Sequence, residues 1–185
     1  MAIYPETKFT LKDGRTVLIR SPKETDVVAM HAFRRIVSVE TTFTSMFPGQ
    51  PDKDVKRFIS EWKEAAETKG DIVLHALDGN RIVGEIAVFV GSQDHPWTKH
   101  TASFGMFIIK EFWNAGLGSR FMDIVIDNSR KSGVKRLEGE VDTKNIQGIS
   151  LYLKKGFVIE GLRRNVALIN GEWQDEYSIA KFFEF

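Results

Sequence analysis

The sequence predicts one α+β (mixed α/β) domain over residues 1–185, built around a mixed sheet with mostly antiparallel neighbours. Strand-like and helical stretches alternate along the chain, and no Pro-, Gly- or Ser-rich linker divides them. Three turn dipeptides, Asp13-Gly14, Asp78-Gly79 and Asn170-Gly171, each separate two strand-like runs. Such dipeptides join antiparallel strands, and we expect both residues of each to have positive φ.

The first half of the chain predicts two strands, two helices and two further strands. The first helix is indicated by Pro22, which suits a first helical position, and by apolar residues at helical spacing from Val27 to Val37. Gly70 is a plausible cap for the second helix, because glycine adopts the left-handed conformation that ends many helices. The expected bounds are 9–11 and 16–20 for the first strands, 22–40 and 54–68 for the helices, and 72–77 and 81–90 for the next strands.

The second half predicts a strand, a helix, a strand, a helix and two closing strands. The first of these helices has a buried stripe that includes Leu117, Phe121 and Val125. The expected bounds are about 101–109, 116–132, 137–141, 146–155, 157–169 and 173–183. The complete order of elements, ββααββ, then βαβα, then ββ, is typical of a domain with a mixed sheet.

Composition excludes several classes of function. The 26 basic and 25 acidic residues give a formal charge of +1, so no strong field favours nucleic acid or an anionic membrane as a partner. The absence of cysteine excludes disulfides, thiolate metal sites and a cysteine nucleophile. The chain has no signal-peptide pattern and no apolar run of about 18 residues, the length that a membrane helix requires. We therefore expect a cytoplasmic protein with neither a nucleic-acid nor a membrane partner.

A glycine turn connects the strand that ends near Ile109 to the following helix. Glycines at 116 and 118 let the backbone approach a ligand, and the first helical turn presents unpaired N–H groups that favour a phosphate or pyrophosphate. Arg120 adds charge at the rim. The pattern lacks the third glycine of a dinucleotide site and the Gly-Lys-Ser/Thr of a Walker loop. On its own it fits an ordinary helix entry equally well.

A second motif follows at residues 145–157. On a helix, Asn145, Gly148, Ile149 and Tyr152 lie on one face, which carries an amide, a hydroxyl and no side chain at the glycine. Because glycine costs a helix about 1 kcal/mol relative to alanine, its presence indicates that something passes close to the backbone. The alternative is that Tyr152 is a half-buried core residue whose hydroxyl reaches water.

Together, these two motifs resemble those of the GNAT superfamily of N-acetyltransferases. Residues 113–118 are similar to the family's Arg/Gln-x-x-Gly-x-Gly/Ala loop, and residues 145–157 to its Asn-x-x-Ala-x-x-Leu-Tyr-x-Lys-x-Gly-Phe segment. Two departures stand out: Trp113 replaces the usual Arg or Gln, and Gly148 replaces alanine. The first removes a side-chain contact to phosphate but leaves the main-chain cradle, and the second keeps the residue small.

The resemblance implies a sheet splayed like a V, with acetyl-CoA lying in the splay. It also implies that the pantetheine arm follows the preceding strand, that the glycine turn holds the pyrophosphate, that Asn145 contacts the cofactor and that Tyr152 lies beside its sulfur. The residues expected to bind acetyl-CoA are Phe107, Ile108, Ile109, Asn114, Ala115, Gly116, Leu117, Gly118, Ser119, Arg120, Asn145 and Tyr152.

Acetyl transfer to an amine requires a proton for the leaving thiolate, donors for the developing oxyanion and a neutral amine. Tyr152 is the expected general acid, and a main-chain N–H near Phe107 or Ile108, freed by a bulge, is the expected oxyanion donor. Some relatives carry a base on the strand before the glycine turn, where this chain has Ser103 or Phe104. The candidate bases that remain are Glu85 and Glu140, followed by Glu138, Asp94, His95 and His100.

The acceptor is not identified by the sequence. A protein amino terminus, an amino acid or a small amine fits, whereas the lack of an acidic cluster disfavours polyamines and aminoglycosides. The four histidines lack metal-ligand spacing, so no metal is expected. An acyl-CoA-binding sensor of the same fold that has lost its chemistry is the alternative function. A homodimer is possible but nothing in the sequence requires it.

Overall fold

The structure, a computed structural model, describes residues 3–92 and 94–184. It contains eight strands and four α-helices in the order that the sequence predicts. The strands are β1 Thr7–Thr10, β2 Thr16–Arg20, β3 Ile72–Asp78, β4 Arg81–Val90, β5 Thr101–Ile108, β6 Arg136–Asp142, β7 Val158–Ile169 and β8 Glu172–Phe182. The helices are α1 Val27–Glu40, α2 Val55–Glu67, α3 Leu117–Ser132 and α4 Ile146–Lys154, with 3-10 turns at Glu24–Asp26 and Lys110–Phe112.

The eight strands form one sheet in the order β1-β2-β3-β4-β5-β6-β8-β7. Every neighbouring pair is antiparallel except β5 and β6. The α+β class and the mostly antiparallel mixed sheet flanked by helices are therefore confirmed. No helix within the described ranges combines the length and apolarity that a membrane crossing requires.

The sheet is splayed between β5 and β6. These strands pair only from Thr101 to Ser103 on β5 and from Arg136 to Glu138 on β6. At the point of divergence, a Cβ on Gly139 would lie 2.8 Å from Cε1 of Phe104. The aromatic ring thus occupies the space next to the glycine backbone, and the strands separate beyond it. The V-shaped gap expected from the family resemblance is present.

Helices cover both faces of the sheet. Helices α1 and α2 pack on β4 and β3, whereas α3 packs on β4 and β5 from the other side. Gly84 allows α3 to approach closely, because a Cβ there would lie 3.0 Å from the Phe121 ring. Burying a phenylalanine as completely as Phe121 contributes about 1.5–3 kcal/mol. This packing fixes the start of α3 against the end of β5.

The expectation that both residues of each turn dipeptide have positive φ holds only for Asn170 and Gly171. In the first hairpin only Gly14 has positive φ, because the chain turns over four residues and the Gly14 N–H donates to the Leu11 carbonyl. In the second, the register pairs Asp78 with Arg81, so that Gly79-Asn80 is the two-residue loop. The hairpins are as predicted, but two of the three turn types are not.

Candidate functional site

The glycine turn presents an open set of N–H groups at the start of α3. Asn114 and Gly116 both have positive φ, and Gly116 is the N-cap residue without a side-chain cap. The N–H groups of residues 116–119 have no hydrogen-bond partner among the described residues, and the first bond of the helix joins the Arg120 N–H to the Gly116 carbonyl. Four converging donors at the positive end of a helix favour an anionic group.

Two contacts hold the glycine turn in place. The Trp113 indole Nε1 donates to the Ile108 carbonyl at 2.6 Å, which ties the turn to the end of β5. The Lys12 N–H, from the β1–β2 hairpin, donates to the Ala115 carbonyl at 3.0 Å. The side chain of Trp113, which replaces the family's Arg or Gln, therefore supports the main chain.

Three residues expected to bind the cofactor have side chains in the core. Ile109, Ala115 and Leu117 are buried among the apolar residues beneath the turn. They can offer a ligand only their main-chain groups. Gly118 also lies against packed atoms, because a Cβ there would be 3.2 Å from Cδ2 of Leu151. A bulky residue at 118 would therefore disturb the α3–α4 contact as well as any ligand.

Asn145 caps α4. Its Oδ1 accepts a hydrogen bond from the Gly148 N–H at 2.9 Å, and a Cβ on Gly148 would lie 2.7 Å from the Asn145 Nδ2. The close neighbour that the sequence predicted for this glycine is therefore the capping amide itself. Asn145 and Gly148 both line the central cavity described below.

Tyr152 is buried in an aromatic cluster beside the gap. Its ring centroid lies 5.3 Å from that of Phe104 and 5.9 Å from that of Phe157. No described residue hydrogen-bonds its hydroxyl, and burial raises the pKa of Tyr152 above its ordinary value of 10.0. The hydroxyl thus keeps its proton throughout the neutral range. Tyr152 belongs to the core through its ring and lines the cavity at the same time.

A cavity of about 630 Å³ lies beside the end of β5, beyond the point where β5 and β6 stop pairing. It is bounded by the end of β5, the glycine turn, the start of α4 and the segment after α1. The expected cofactor residues that line it are Phe107, Ile108, Asn114, Gly116, Gly118, Ser119, Asn145 and Tyr152. Motifs from distant parts of the sequence thus meet in one cavity.

Arg120 is turned away from this cavity. Its guanidinium lies 5.8 Å from the centroid of the Phe9 ring, and its Nη2 is 3.5 Å from the Tyr4 hydroxyl. The Nε is buried without a hydrogen-bond partner. The side chain therefore packs against the first strand and the segment before it.

Lysine side chains that the sequence analysis did not single out also line the cavity. The stem of Lys12 lies over Gly116, with Cγ 3.5 Å from the position of a Cβ on that glycine. Lys154 and Lys155 lie at the end of α4, and Lys155 also pairs with Asp123 at 2.6 Å. Lys12 precedes the glycine turn by about a hundred residues, so no local pattern connects the two.

The β4–β5 register is continuous from Gly84 to Val90, so the bulge expected near Phe107 is absent. It is also unnecessary, because β6 stops pairing with β5 after Ser103. Beyond that residue, alternate main-chain groups of β5 face the gap without a strand partner. These groups are available to a ligand.

The candidate bases lie in different surroundings. Glu85, on β4, is in register with the cavity residue Phe107, and its side chain is 14% exposed. Its Oε2 lies 3.1 Å from Nε2 of the fully buried His75. Glu140 is exposed and lies 3.3 Å from Arg163. Neither glutamate lines the cavity itself.

The remaining candidate bases are further from a reacting position. Glu138 pairs with Arg136 at 2.6 Å. Asp94, His95 and His100 are exposed on the β4–β5 connection. Within residues 3–92 and 94–184, no three His, Asp or Glu side chains converge as a metal site would require.

Comparisons with known proteins agree with this geometry. Residues 16–158 match the family model described as an acetyltransferase (GNAT) domain. The L-amino acid N-acetyltransferase AaaT of Escherichia coli K12 is 34% identical over 125 residues, which are 65% of this chain and 74% of that protein. A GNAT-family acetyltransferase structure from Streptococcus pneumoniae is 30% identical, with a TM-score of 0.84 over 90% of this chain and 99% of that one. The structure of yncA from Salmonella typhimurium, a protein solved with its cofactor acetyl-CoA, shares the fold. Its TM-score is 0.77 at 16% identity, and the match covers 91% of this chain and 95% of that one.

Proposed function

Because the chain belongs to the GNAT family of acetyltransferases, we propose that it transfers the acetyl group of acetyl-CoA to the α-amine of an L-amino acid with an apolar side chain. Family membership makes it an acyltransferase. The choice of acceptor is supported by the name of the AaaT relative and by the lining of the cavity.

The observation that carries this proposal is the convergence of an anion cradle and a buried tyrosine on one cavity. The free N–H groups of residues 116–119 suit the pyrophosphate of coenzyme A, and the Lys12 ammonium, which has no ion-pair partner among the described residues, adds positive charge beside them. The unpaired edge of β5 suits the amide groups of the pantetheine arm. The residues present therefore fit the cofactor.

When bound, acetyl-CoA supplies the thioester whose acetyl group is transferred. Tyr152 lines the cavity, and its hydroxyl acts as the hydrogen-bond donor for the departing sulfur. Because burial raises the pKa of Tyr152, the hydroxyl is a weaker acid than an exposed tyrosine, and its contribution is a hydrogen bond that strengthens as charge develops. The unpaired N–H groups of β5 serve the developing oxyanion.

Glu85 accepts the proton that the acceptor ammonium loses. Its register partner Phe107 lines the cavity, but Glu85 does not, so one or more water molecules relay the proton. Glu140 is the weaker candidate, because it is solvated and already paired with Arg163. A base is needed here, because the α-ammonium of a free amino acid holds its proton more tightly than a peptide amino terminus, whose pKa is near 8.

Several apolar side chains in the cavity lining support an apolar acceptor. Val37 and Phe43 line it together with Phe107, and Thr41 is a polar group between them. Val37 is on α1, Thr41 and Phe43 are in the segment that follows it, and Phe107 is on β5. Such a wall favours an aliphatic or thioether side chain over a charged one.

The experiment is a coenzyme A release assay over a panel of L-amino acids, their D-enantiomers, polyamines and short peptides with free amino termini. The chain contains no cysteine, so a thiol reagent detects only the released coenzyme. We expect turnover with apolar L-amino acids and little with peptides. Turnover restricted to peptides would refute the acceptor class, and acetyl-CoA binding without turnover on any amine would favour a sensor.

A further inference from the structure

A row of four ionisable side chains runs across the sheet and ends at Glu85. Arg20 on β2, His75 on β3 and Glu85 on β4 are register neighbours and therefore lie on the same face. Asp26, in the 3-10 turn before α1, lies against this row. Charged groups are rarely fully buried, and a buried row of them requires a reason.

The contacts within the row are continuous. The Arg20 guanidinium binds both oxygens of the Asp26 carboxylate, with Nη1–Oδ2 and Nη2–Oδ1 distances of 2.7 and 2.8 Å. The Asp26 Oδ2 lies 3.4 Å from the His75 Nδ1, an ion-pair distance without hydrogen-bond alignment. On the other side of the ring, Nε2 hydrogen-bonds Glu85 at 3.1 Å.

The arrangement determines the protonation state of His75. Each ring nitrogen faces a carboxylate, and an ionised carboxylate can only accept a hydrogen bond, so both nitrogens are best satisfied when they carry protons. Burial acts to lower the pKa of His75, but the two carboxylates outweigh it and raise that pKa above its ordinary value of 6.5. With His75 charged, the four formal charges sum to zero. This neutrality makes burial of the row tolerable.

Within the row, Glu85 is the residue nearest the cavity. His75 is fully buried, and Arg20 and Asp26 are nearly so, whereas Glu85 retains partial exposure and is in register with the cavity residue Phe107. The row supplies a positive charge at hydrogen-bond distance from the Glu85 carboxylate.

We propose that His75 is a positioning residue for Glu85: held by Asp26 and Arg20, it gives the Glu85 carboxylate a charged hydrogen-bond partner and orients it to accept the proton of the acceptor ammonium. In that step an N–H bond of the ammonium breaks, an O–H bond forms on Glu85 through water, and the proton then leaves to solvent. This role rests on the proposed function, and it assigns a task to a buried histidine that the cofactor site does not use.

The groups that face His75 come from four elements. They are Glu85 of β4, Arg20 of β2, Asp26 of the turn before α1 and, from α2, the uncharged ring of Trp62, whose centroid lies 5.3 Å away. A change in the charge of His75 therefore acts on both Asp26 and Glu85, and of these two carboxylates only Glu85 is in register with the cavity residue Phe107.

The kinetic test compares two substitutions of His75 that keep different parts of its shape. H75Q places an amide donor near the position of Nε2 and so keeps a hydrogen bond to Glu85 without the charge, whereas H75N leaves Glu85 without that donor. We expect H75Q to lower kcat/KM at least about tenfold at neutral pH, to shift the acid limb of the profile to higher pH and to leave the acetyl-CoA Kd unchanged. H75N should lose more activity, at every pH.

H31Q is the matched control. His31 on α1 is a partly buried histidine that hydrogen-bonds the Lys53 carbonyl, outside the row and the cavity. H31Q should keep the wild-type pH profile. If H75Q and H75N kept it as well, with only a lower Tm, His75 would be purely structural and the proposal would be wrong.

A second measurement does not depend on turnover or on the folding of a His75 variant. The ¹⁵N shifts of the His75 ring in wild-type protein should show both nitrogens protonated at pH 7, and E85Q should lower the pH at which one proton is lost. A neutral His75 ring at pH 7 would overturn the proposal even in an active enzyme. If the acceptor panel found no substrate, the proposed function would fail, and the ring shifts would still decide the state of His75.

Discussion

Replacing Tyr152 with phenylalanine removes a single oxygen atom from the wall of the cavity and leaves the ring in contact with Phe104 and Phe157. The hydroxyl has no protein partner among the described residues, but it is not fully shielded from the cavity, so water can hydrogen-bond it when no cofactor is present. Its removal therefore exchanges a hydrogen bond to water for none and leaves no protein group unsatisfied. The free energy of unfolding of unliganded Y152F should therefore stay close to that of the wild type.

Catalysis, in contrast, should change strongly. A hydrogen bond to the leaving sulfur that strengthens in the transition state contributes about 2.7 kcal/mol, which corresponds to a roughly hundredfold fall in kcat in Y152F. We expect the low end of the general-acid range, because burial raises the pKa of Tyr152 and makes it a reluctant proton donor. The Kd for acetyl-CoA should change little.

The assay combines denaturant unfolding, coenzyme A release under saturating substrate, and calorimetric titration with acetyl-CoA. F157L is a suitable control, since it disturbs the aromatic cluster without touching a hydroxyl. If Y152F kept wild-type kcat, Tyr152 would have no role as an acid. If its stability fell by several kcal/mol, the hydroxyl would have a protein partner in solution and the reasoning from burial would be refuted.

Three further predictions follow from the contacts described above. K12A should weaken acetyl-CoA binding about fivefold, because a solvated charge contributes roughly 1 kcal/mol. K131A, at the far end of α3, should leave the affinity unchanged. Equal affinities of K12A and wild type in calorimetry would show that Lys12 does not belong to the site. G139A should lower the free energy of unfolding by about 1–3 kcal/mol, because the added methyl group overpacks against Phe104. G161A is the control and should have a small effect, since Gly161 has open space around it. An unchanged stability of G139A in denaturant unfolding would show that the Phe104 ring shifts freely. Because the pKa of His75 is raised in the folded protein, the stability that protonated His75 contributes is complete below pH 6.5 and is lost as the pH rises through the folded-state pKa. H75Q should therefore flatten the fall of Tm with rising pH. An unchanged pH dependence of Tm would contradict a protonated His75.

Local patterns were sufficient to predict the elements and the two halves of the cofactor cradle. Apolar spacing located the helices to within a few residues, and the glycines at 116 and 118 marked the start of α3 because their signal lies within a few positions. The first helix begins at Val27 and not near Pro22 as expected, because residues 24–26 form a 3-10 turn in which the Asp26 carboxylate binds Arg20. That difference comes from a contact with another strand.

The features that the sequence did not reveal depend on register and on distant contacts. His75 meets Glu85 only because β3 and β4 pair in one particular alignment, and a shift of one residue would place the two on opposite faces. Lys12 reaches the glycine turn through a hairpin on another part of the chain. The bulge expected in β5 is not needed, because the β6 ladder ends early and leaves N–H groups of β5 unpaired.

The short ladder between β5 and β6 also has a mechanical consequence. Three residue pairs join the five-stranded and three-stranded parts of the sheet, and a ligand in the gap would touch both the glycine turn on one side and α4 on the other. Such a ligand would connect the two parts. At a ligand concentration of a hundred times its Kd, binding would stabilise the closed sheet by about 2.7 kcal/mol relative to a state in which the parts are separated. The gap that admits the substrate is thus spanned by only three residue pairs in the empty protein, and a bound ligand would add contacts across it.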